Sequence, residues 1–442
     1  MTDLDGATVQ AWDAVGGAPG VAGRVTYRGG SDLGEGPLPV RELARATVGA
    51  AALAAAELGA VRAGGGAQDV PGVVIDEGAV ATAFVSERHL RVEGREPVNF
   101  APLSGFWRAA DGWVRTHANY PHHEAALVRV LGARTPGRLA AAIAGRAAEE
   151  VQEAVYAEGG LAVAVRESGY GEPQPLVEAR KTGGRGRELG PAPLSAPAAG
   201  VRVLDLTRVI AGPVATRTLG WLGADVLRID PPKLPEADDA YADTGFGKRS
   251  ALLDLADARD RAVFEGLLAG ADVVVTGYRP GALERHGLGA RQLHERWPGL
   301  VVAELCAWGW RGPWAGRRGF DSLVQAGYGP AAACGDGERP GVLPAQALDH
   351  GTGYLMAAAV LRALAEGGGR SLRFSLAGTA SWLVREVPSA AAAAQEYAAE
   401  PWLRETASGY GTVRYAVSPL PAGGWERGPS RWGTDAARWS TT

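Results

Sequence analysis

Short apolar runs separated by helical patterns dominate the second half of the chain. In order, they are VRVLDL (201–206), DVLRID (225–230), SALLDL (250–255), a helical pattern at 257–270, DVVVTGY (272–278) and LVVAEL (300–305). Strands that are apolar almost throughout and alternate with helices are typical of a parallel sheet covered on both faces. The pattern predicts an α/β domain built on a doubly wound parallel sheet.

The first half has a different pattern and predicts a smaller α+β domain. An Ala-rich helix is expected at 40–60 and a second helical segment at 77–88, with further helices at 123–132 and 136–157. Between them, FWRAADGWVRTH (106–117) has alternating apolar residues around an Asp-Gly pair, which is a strong hairpin signal.

The stretch KTGGRGRELGPAPLSAP (181–197) is rich in Gly and Pro and lacks periodicity, which is typical of a linker. We therefore predict a small domain at 1–180, a linker at 181–197, a large domain at 198–385 and a C-terminal segment at 386–442 that returns to the large domain.

Two segments of the first half resemble segments of the second. Residues 37–57 resemble 344–364, and residues 73–87 resemble 372–386. Ala-rich helices look alike by composition alone, so one interpretation is chance. The other is that the first half descends from the second part of the same fold.

Composition and charge narrow the functional class. The 442 residues are 46% hydrophobic and 21% charged, and 45 Lys and Arg nearly balance 49 Asp and Glu. The balanced charge gives no overall electrostatic field to attract nucleic acid or an anionic membrane. No apolar run reaches the roughly 18 residues that a bilayer span needs. Cys306 and Cys334 lack metal-ligand spacing, so we expect no metal site. They also lack the pattern of a disulfide scaffold, which favours a reducing compartment, so we expect a cytoplasmic protein. His117, His122 and His123 fit no zinc pattern and are expected to be solvated or core residues.

Six ordered motifs in the second half resemble those of family III coenzyme A transferases, the group that includes formyl-CoA transferase and the carnitine and bile-acid CoA-transferases. They are VLDLTRVIAGPVATRTLGWLGADVLRID (203–230), GKRSALLDL (247–255), ADVVVTGYRPGALERHGLG (271–289), PGLVVAELCAWGWRGP (298–313), GFDSLVQAGYG (319–329) and ALDHGTGYLMAAAVLRAL (347–364). The resemblance implies a Rossmann-like, CoA-binding large domain and a homodimer. In that family the small domain follows the large one, so this chain looks circularly permuted or like a tandem pair with a truncated first copy.

Basic residues recur near the ends of the predicted strands: Arg208, Lys248, Arg249, Arg279 and Arg285. Taken singly, each is explained by chance in an Arg-rich chain. As an ordered set they favour a polyanionic ligand at one sheet edge, with Tyr278 available to stack on adenine. By resemblance, the CoA contacts fall on Arg208, Ile210, Ala211, Pro231, Leu253, Asp254, Leu255, Ala256, Gly277, Tyr278, Arg279, Arg285, Leu305, Cys306, Ala307 and Trp308. The formyl-CoA transferase branch carries a glutamine where Ile210 stands, which argues against oxalate or formate as substrate.

The resemblance also implies covalent catalysis by an aspartate in a Gly-rich loop, here CGDGERPG (334–341). Gly337 occupies the expected nucleophile position, with Asp336 and Glu338 on either side. We predict that a one-residue shift of the loop gives Asp336 this role; alternatively, the Asp-Gly pair is only a turn and the site is lost. Asp321 and Asp349 are the other acids of interest, and helix capping is the expected role of Asp349.

The leading hypothesis is a transferase that moves CoA from an acyl-CoA to a carboxylic acid through an aspartyl-CoA thioester. A non-catalytic CoA-binding or scaffold member of the family is the main alternative. A racemase related to the α-methylacyl-CoA racemases is disfavoured because Phe320 occupies the position of their catalytic histidine. An unrelated dinucleotide enzyme is disfavoured because no GxGxxG follows the first strand.

Overall fold

A computed structural model describes residues 5–167, 171–389 and 396–440. The strands are β1 (Val25–Arg28), β2 (Val73–Asp76), β3 (Arg91–Val92), β4 (Phe106–Arg108), β5 (Trp113–Thr116), β6 (Ala162–Ala164), β7 (Glu178–Lys181), β8 (Arg202–Leu206), β9 (Asp225–Asp230), β10 (Lys248–Leu252), β11 (Val273–Thr276), β12 (Val301–Cys306), β13 (Arg370–Ser375), β14 (Leu403–Ser408) and β15 (Gly411–Ala416). The helices are α1 (Gly6–Ala14), α2 (Val40–Arg62), α3 (Glu77–Ala83), α4 (Ser86–His89), α5 (Pro121–Leu131), α6 (Pro136–Ala144), α7 (Ala148–Ala157), α8 (Ala211–Trp221), α9 (Asp238–Thr244), α10 (Ala258–Ala269), α11 (Ala290–Arg296), α12 (Asp321–Tyr328), α13 (Pro330–Ala333), α14 (Ala347–Ala365) and α15 (Leu376–Arg385).

A seven-stranded sheet organises the second half, in the order β10-β9-β8-β11-β12-β13-β7. All neighbours run parallel except β7, which pairs antiparallel with β13. The prediction of a mixed α/β fold with a mostly parallel sheet is therefore confirmed. Because β7 is an edge strand of this sheet, residues 178–181 belong to the large sheet although they span the predicted boundary between small domain and linker.

Alternate residues of the central strands point into two separate apolar layers. Val203 and Val226 pack with helices α8 and α14, whereas Leu204 and Leu227 pack with α10 and α11. This alternation is the period of two expected for a strand buried on both faces.

Helix α2 of the first half packs along α14 of the second, and the two form the most extensive helix contact of the described structure. By length and composition α2 could cross a membrane, contrary to the expectation that no run is long enough, but most of it is buried inside the fold. Pro39 (φ −75°, ψ 59°) and Gln346 (φ −74°, ψ 61°) precede the two helices with nearly the same backbone conformation. Each helix is followed by a strand and a helix, β2-α3 or β13-α15, so the two similar sequence segments adopt the same order of elements.

The predicted hairpin around Asp111-Gly112 is present as β4 and β5, with Phe106 opposite Arg115, and β6 joins β5 as a third antiparallel strand. The helix predicted at 136–157 is interrupted and forms α6 and α7. The Asp111 Oδ1 atom accepts a 2.8 Å hydrogen bond from the Ala148 N–H, which ties the hairpin turn to the start of α7.

Candidate functional site

A cleft of about 610 Å³ opens where the parallel strands β8, β9, β11 and β12 end. The carboxyl ends of these strands meet at one sheet edge, which is where open α/β sheets bind ligands. Most of the residues predicted to contact the coenzyme line this cleft: Arg208, Ala211, Pro231, Leu253, Asp254, Leu255, Ala256, Gly277, Tyr278, Arg279, Arg285, Leu305, Cys306 and Ala307. Ile210 and Trp308 are the exceptions, because Ile210 lines a different cavity and Trp308 is buried against Trp314.

The second cavity, of about 750 Å³, lies between the two halves of the chain. The first half contributes Leu90, Phe100 and His117 to its wall, and the second half contributes Ile210 and Asp321. Four residues line both cavities and therefore mark their junction: Tyr120, Val209, Phe320 and Asp349.

Asp349 is the carboxyl group at this junction. It is the third residue of α14, so it does not take the capping role expected from the sequence; the N-cap residue is Gln346. Among the described residues its carboxyl oxygens make no hydrogen bond or ion pair, although the residue is only 6% exposed. Burial raises the pKa of Asp349 well above its ordinary value, and the nearby acids Asp321 and Glu87 raise it further. A free carboxyl group that titrates at elevated pH faces both cavities.

Asp321 is held in place rather than free. Its Oδ1 atom accepts a hydrogen bond from the Gln325 side chain at 2.5 Å, and its Oδ2 atom accepts one from the Asp349 N–H at 2.9 Å. Burial raises the pKa of Asp321 to about 6, against the lowering effect of these hydrogen bonds. The geometry fits a residue that positions Asp349.

Asp336 and Glu338, the sequence candidates for the nucleophile, lie on an exposed turn and line neither cavity. The Asp336 Oδ1 atom accepts the backbone N–H groups of Glu338 and Arg339, and these bonds lower its pKa. Gly337, at φ +90°, supplies the left-handed conformation of this turn. The turn geometry matches the alternative interpretation of the Asp-Gly pair.

Cations without a carboxylate partner line the first cleft. Within the described ranges, Arg279, Arg285 and Arg318 form no ion pair. Burial and the neighbouring Arg279 lower the pKa of Arg318. Arg208 is different, because it bridges Asp230 and Glu236 and donates to the Leu234 carbonyl oxygen. An anionic ligand would therefore be met chiefly by the three unpaired arginines.

Lys248 and Arg249 do not reach the cleft, contrary to the sequence expectation. They begin β10, and the start of a parallel strand lies at the sheet edge opposite its end. The Lys248 Nζ atom is fully buried 3.1 Å from Asp205, and Arg249 pairs with Asp225 at the start of β9.

The three histidines of the first half lie at the site, where the sequence analysis expected solvated or core residues. His122 and His123 line the first cleft, and His117 lines the second cavity. The His117 ring stacks on Phe320 with centroids 4.0 Å apart and an interplanar angle of 8°. Burial lowers the pKa of both His117 and His123 to about 3, so both rings are neutral at physiological pH. Their proximity to the cleft depends on the docking of the first half, which the local sequence does not encode.

A strained turn separates the two cavities. Val209 has φ +72°, a conformation that β-branched residues rarely adopt. It lies between Arg208, which lines the first cleft, and Ile210, which lines the second cavity. Strain of this kind costs about 1–3 kcal/mol and is usually found at functional sites.

The fold and the site define an α/β protein with an arginine-lined cleft at the carboxyl ends of its parallel strands, joined at a buried carboxyl group to a second cavity. Residues 198–415 match the family model of CoA-transferase family III. The resemblance found in the sequence motifs is thereby confirmed.

Three curated relatives are similar to part of the chain. An acetyl-coenzyme A transferase of Hypoxylon pulicicidum is 35% identical over 205 residues, which are 43% of this chain and 34% of the relative. A probable fatty acyl-CoA transferase of Mycobacterium tuberculosis is 35% identical over 182 residues, 38% of this chain and 46% of the relative. A formyl-CoA:oxalate CoA-transferase of Afipia carboxidovorans is 34% identical over 179 residues, 37% of this chain and 42% of the relative. The chain thus spans less than half the length of each.

Proposed function

We propose that this protein transfers coenzyme A from an acyl-CoA to a carboxylic acid, with the Asp349 carboxylate as the covalent nucleophile. The observation that carries the proposal is the position of Asp349. Its carboxyl group is unbonded among the described residues and lies where the cleft of the predicted coenzyme contacts meets a second cavity. Asp349 thus replaces Asp336 as the proposed nucleophile, because Asp336 is exposed and already accepts two backbone N–H groups.

The chemistry needs one carboxylate and no redox partner. The Asp349 carboxylate attacks the thioester carbonyl carbon, the C–S bond breaks, and CoA leaves as a thiolate while a mixed anhydride forms. The thiolate then attacks the aspartyl carbonyl carbon, which releases the donor acid as a carboxylate and leaves an aspartyl-CoA thioester. The acceptor carboxylate repeats both steps in reverse, forming the new acyl-CoA and restoring Asp349.

The surroundings of Asp349 suit this sequence of steps. The residue is almost fully buried, which limits hydrolysis of an anhydride by water. Its elevated pKa makes the ionised form a stronger base and nucleophile. The unpaired Arg279, Arg285 and Arg318 provide charge for the coenzyme phosphates on the other side.

Trapping the acyl-enzyme tests the assignment. The protein is incubated with a panel of acyl-CoA thioesters and then with hydroxylamine, and the modified peptide is identified by mass spectrometry. We expect aspartyl hydroxamate at Asp349, and a loss of exchange on the order of 1,000-fold or more in Asp349→Asn. Asp336→Asn is the matched control and should retain exchange. A hydroxamate at Asp336 would overturn the assignment.

The alternative function, a CoA-binding or scaffold member without activity, rests on Gly337 at the expected nucleophile position and on the permuted chain order. Isothermal titration with CoA beside the exchange assay separates the two functions. Binding of CoA without any adduct or exchange across the panel would support the alternative and sink the transferase proposal.

A further inference from the structure

A buried ion pair joins the two halves of the chain one residue away from Asp349. The Oε2 atom of Glu87 on α4 lies 3.3 Å from the Nε2 atom of His350 on α14. The His350 side chain is fully enclosed, whereas 16% of the Glu87 side chain is exposed. An ionised carboxylate only accepts hydrogen bonds, so the imidazole donates through its Nε2–H group. The first half of the chain thereby supplies the acceptor for the residue that follows the proposed nucleophile.

The other contacts of the His350 ring leave Glu87 as its polar partner. The ring packs against that of Phe84, also from the first half, with centroids 5.4 Å apart. The Nδ1 atom is enclosed and has no hydrogen-bond partner among the described residues. Loss of the Glu87 carboxylate would therefore leave both ring nitrogens buried and unbonded, which is costly.

The short helix α4 is tied to the second half at two consecutive residues. Ser86, the residue before Glu87, donates a 2.8 Å hydrogen bond from its Oγ atom to Asp243 on α9. Asp243 in turn pairs with Arg217 on α8 at 3.2 Å. These contacts fix the backbone that carries Glu87, so its carboxylate has a defined position against α14.

Glu87 and Asp349 line the same cavity, the second one. Burial opposes ionisation of Glu87, but the hydrogen bond and the charge of His350 outweigh burial and lower the pKa of Glu87. Glu87 is therefore already ionised in the range where Asp349 titrates. Its negative charge adds to the effects of burial and of Asp321, which also raise the pKa of Asp349.

Most other charged groups around α4 have partners of their own. Helix α4 packs against α3, α9 and β15. The titratable and charged groups on these elements and on α4, apart from tyrosines, are Glu77, Arg88, His89, Asp238, Asp239, Asp243 and Arg414. Glu77, Asp239 and Asp243 each pair with an arginine. Arg88 lies 3.9 Å from Glu87 but is about half exposed, so water screens it. Of all these groups and Asp321 on α12, Glu87 and Asp321 are the two whose charge acts on Asp349.

We propose that Glu87 is a positioning residue for the transfer step: it holds the start of α14 through His350 and presents a negative charge to Asp349. This inference rests on the proposed function, in which Asp349 is the nucleophile. A more basic carboxylate is the stronger nucleophile, and a fixed helix keeps it aligned with the thioester. The first half of the chain thus sets the reactivity of a group that the second half carries.

Two substitutions separate the charge from the hydrogen bond. Glu87→Gln removes the charge, but its amide oxygen still accepts from His350. Glu87→Asp keeps the charge on a side chain one methylene shorter, which draws back from the imidazole. We expect the rise of kcat with pH to move to lower pH in Glu87→Gln. In Glu87→Asp the rise should keep its position while kcat falls about tenfold, because α14 is less well fixed.

The KM for acyl-CoA should stay within about twofold in both variants, since neither change reaches the first cleft. Glu96→Gln is the matched control. It removes a carboxylate of the same half that is 76% exposed and pairs with Arg91, and it should leave the pH profile unchanged.

Unfolding measurements test the relationship without turnover. Because the folded-state pKa of Asp349 is raised, the fold loses stability as pH rises through that pKa. Urea unfolding of the parent, Glu87→Gln, Asp349→Asn and the double variant is followed from about pH 5 to about pH 9. In acid, Glu87→Gln should change the free energy of unfolding equally with and without Asp349→Asn. In alkali it should be less damaging where Asp349 is present, because it removes a repulsion between two carboxylates.

Two results would overturn the inference: a coupling between positions 87 and 349 that does not grow with pH, or a kcat profile of Glu87→Gln identical to that of the parent. If Glu87→Gln does not fold, Glu87→Asp decides, and an undiminished kcat in that variant counts against the positioning role. Coupling that grows with pH in a protein without exchange or adduct would refute the transfer function and support the relationship between Glu87 and Asp349. Exchange through Asp349 that ignores Glu87→Gln would do the opposite.

Discussion

The backbone N–H of Asp349 donates a 2.9 Å hydrogen bond to the Oδ2 atom of Asp321. The two residues therefore form one buried unit, in which the Asp321 carboxyl group is fixed by hydrogen bonds and the Asp349 carboxyl group makes none with the described residues. Since like charges at close range oppose each other's ionisation, the titration of each depends on the other.

Exchange activity should rise with pH, and the rise should begin above the range where an ordinary aspartate ionises. Asp349 attacks only as a carboxylate, and its raised pKa keeps it protonated in acid, so the active form is gained as pH increases. In Asp321→Asn the neighbouring negative charge is gone, and the rise should move to lower pH. A pH profile of kcat measures this shift. Asp336→Asn should leave the profile unchanged, and an identical profile in Asp321→Asn would contradict the coupling.

Arg318 should contribute to binding of the coenzyme phosphates. It lines the first cleft, pairs with no carboxylate in the described structure, and lies near Arg279, so an anion relieves repulsion there. We expect Arg318→Met to weaken CoA binding by about tenfold, less at high salt, while pantetheine, which lacks the phosphates, binds as before. Isothermal titration measures both ligands.

The control for this prediction is Arg291→Met, which removes an exposed arginine paired with Glu295 on α11. It should bind CoA normally. Equal weakening of CoA and pantetheine by Arg318→Met would mean that Arg318 shapes the cleft and does not contact phosphate.

The first cleft was predictable because strand order along the chain determines which loops share a sheet edge. Tyr278 and Arg279 follow β11, and both line the cleft as expected. The same reasoning failed for Lys248, because a residue that begins a parallel strand lies at the opposite edge from one that ends it. Side-chain direction at a Gly-rich turn is also absent from local sequence, which is why sequence analysis favours Asp336 as the nucleophile and gives Asp349 a helix-capping role.

The second cavity was not predictable, since half of its wall comes from the first half of the chain. His117 meets Phe320 only because the β4–β5 hairpin docks beside α12, and no local pattern in either segment encodes that contact. The pairing of Glu87 with His350 likewise depends on tertiary packing.

Lys248 should be a stability residue rather than a binding residue. Its buried Nζ atom bonds to Asp205 and to the Pro213 carbonyl oxygen, and Asp205 also accepts a hydrogen bond from Thr216. Replacement by Met leaves the Asp205 charge buried without a cation, and we expect the free energy of unfolding to fall by about 3–5 kcal/mol. Denaturant unfolding measures this loss.

The next residue along the chain, Arg249, forms a more exposed ion pair and provides the comparison. Its ion pair with Asp225 is partly solvated, so Arg249→Met should cost about 1 kcal/mol or less. Equal losses of unfolding free energy in the two variants would contradict a special role for the buried pair. Weakened CoA binding by a folded Lys248→Met protein would show that Lys248 does contribute to the first cleft.

Gly353 should fix the position of Asp349 through the packing of α14 on α8. The two residues are four apart on α14 and so share a face of the helix. A Cβ atom at Gly353 would lie 2.6 Å from the Ala211 carbonyl oxygen and 2.9 Å from the Val214 Cβ atom, so the helices must separate to accept it. Gly353→Ala should therefore destabilise the protein by about 1–3 kcal/mol and lower kcat, because Asp349 moves with its helix.

Gly266 is the matched control within helix α10, since a Cβ atom there meets nothing within 4 Å. Gly266→Ala should stabilise the protein by about 0.5–1 kcal/mol, because alanine loses less backbone entropy than glycine in a helix. Urea unfolding measures the change in the free energy of unfolding for both substitutions. A decrease in Gly353→Ala with an increase in Gly266→Ala would support close packing of α14 on α8 as the feature that positions Asp349. If Gly353→Ala also stabilises the protein and leaves kcat unchanged, α14 has room to adjust, and the hydrogen bond from the Asp349 backbone N–H to Asp321 positions the residue instead.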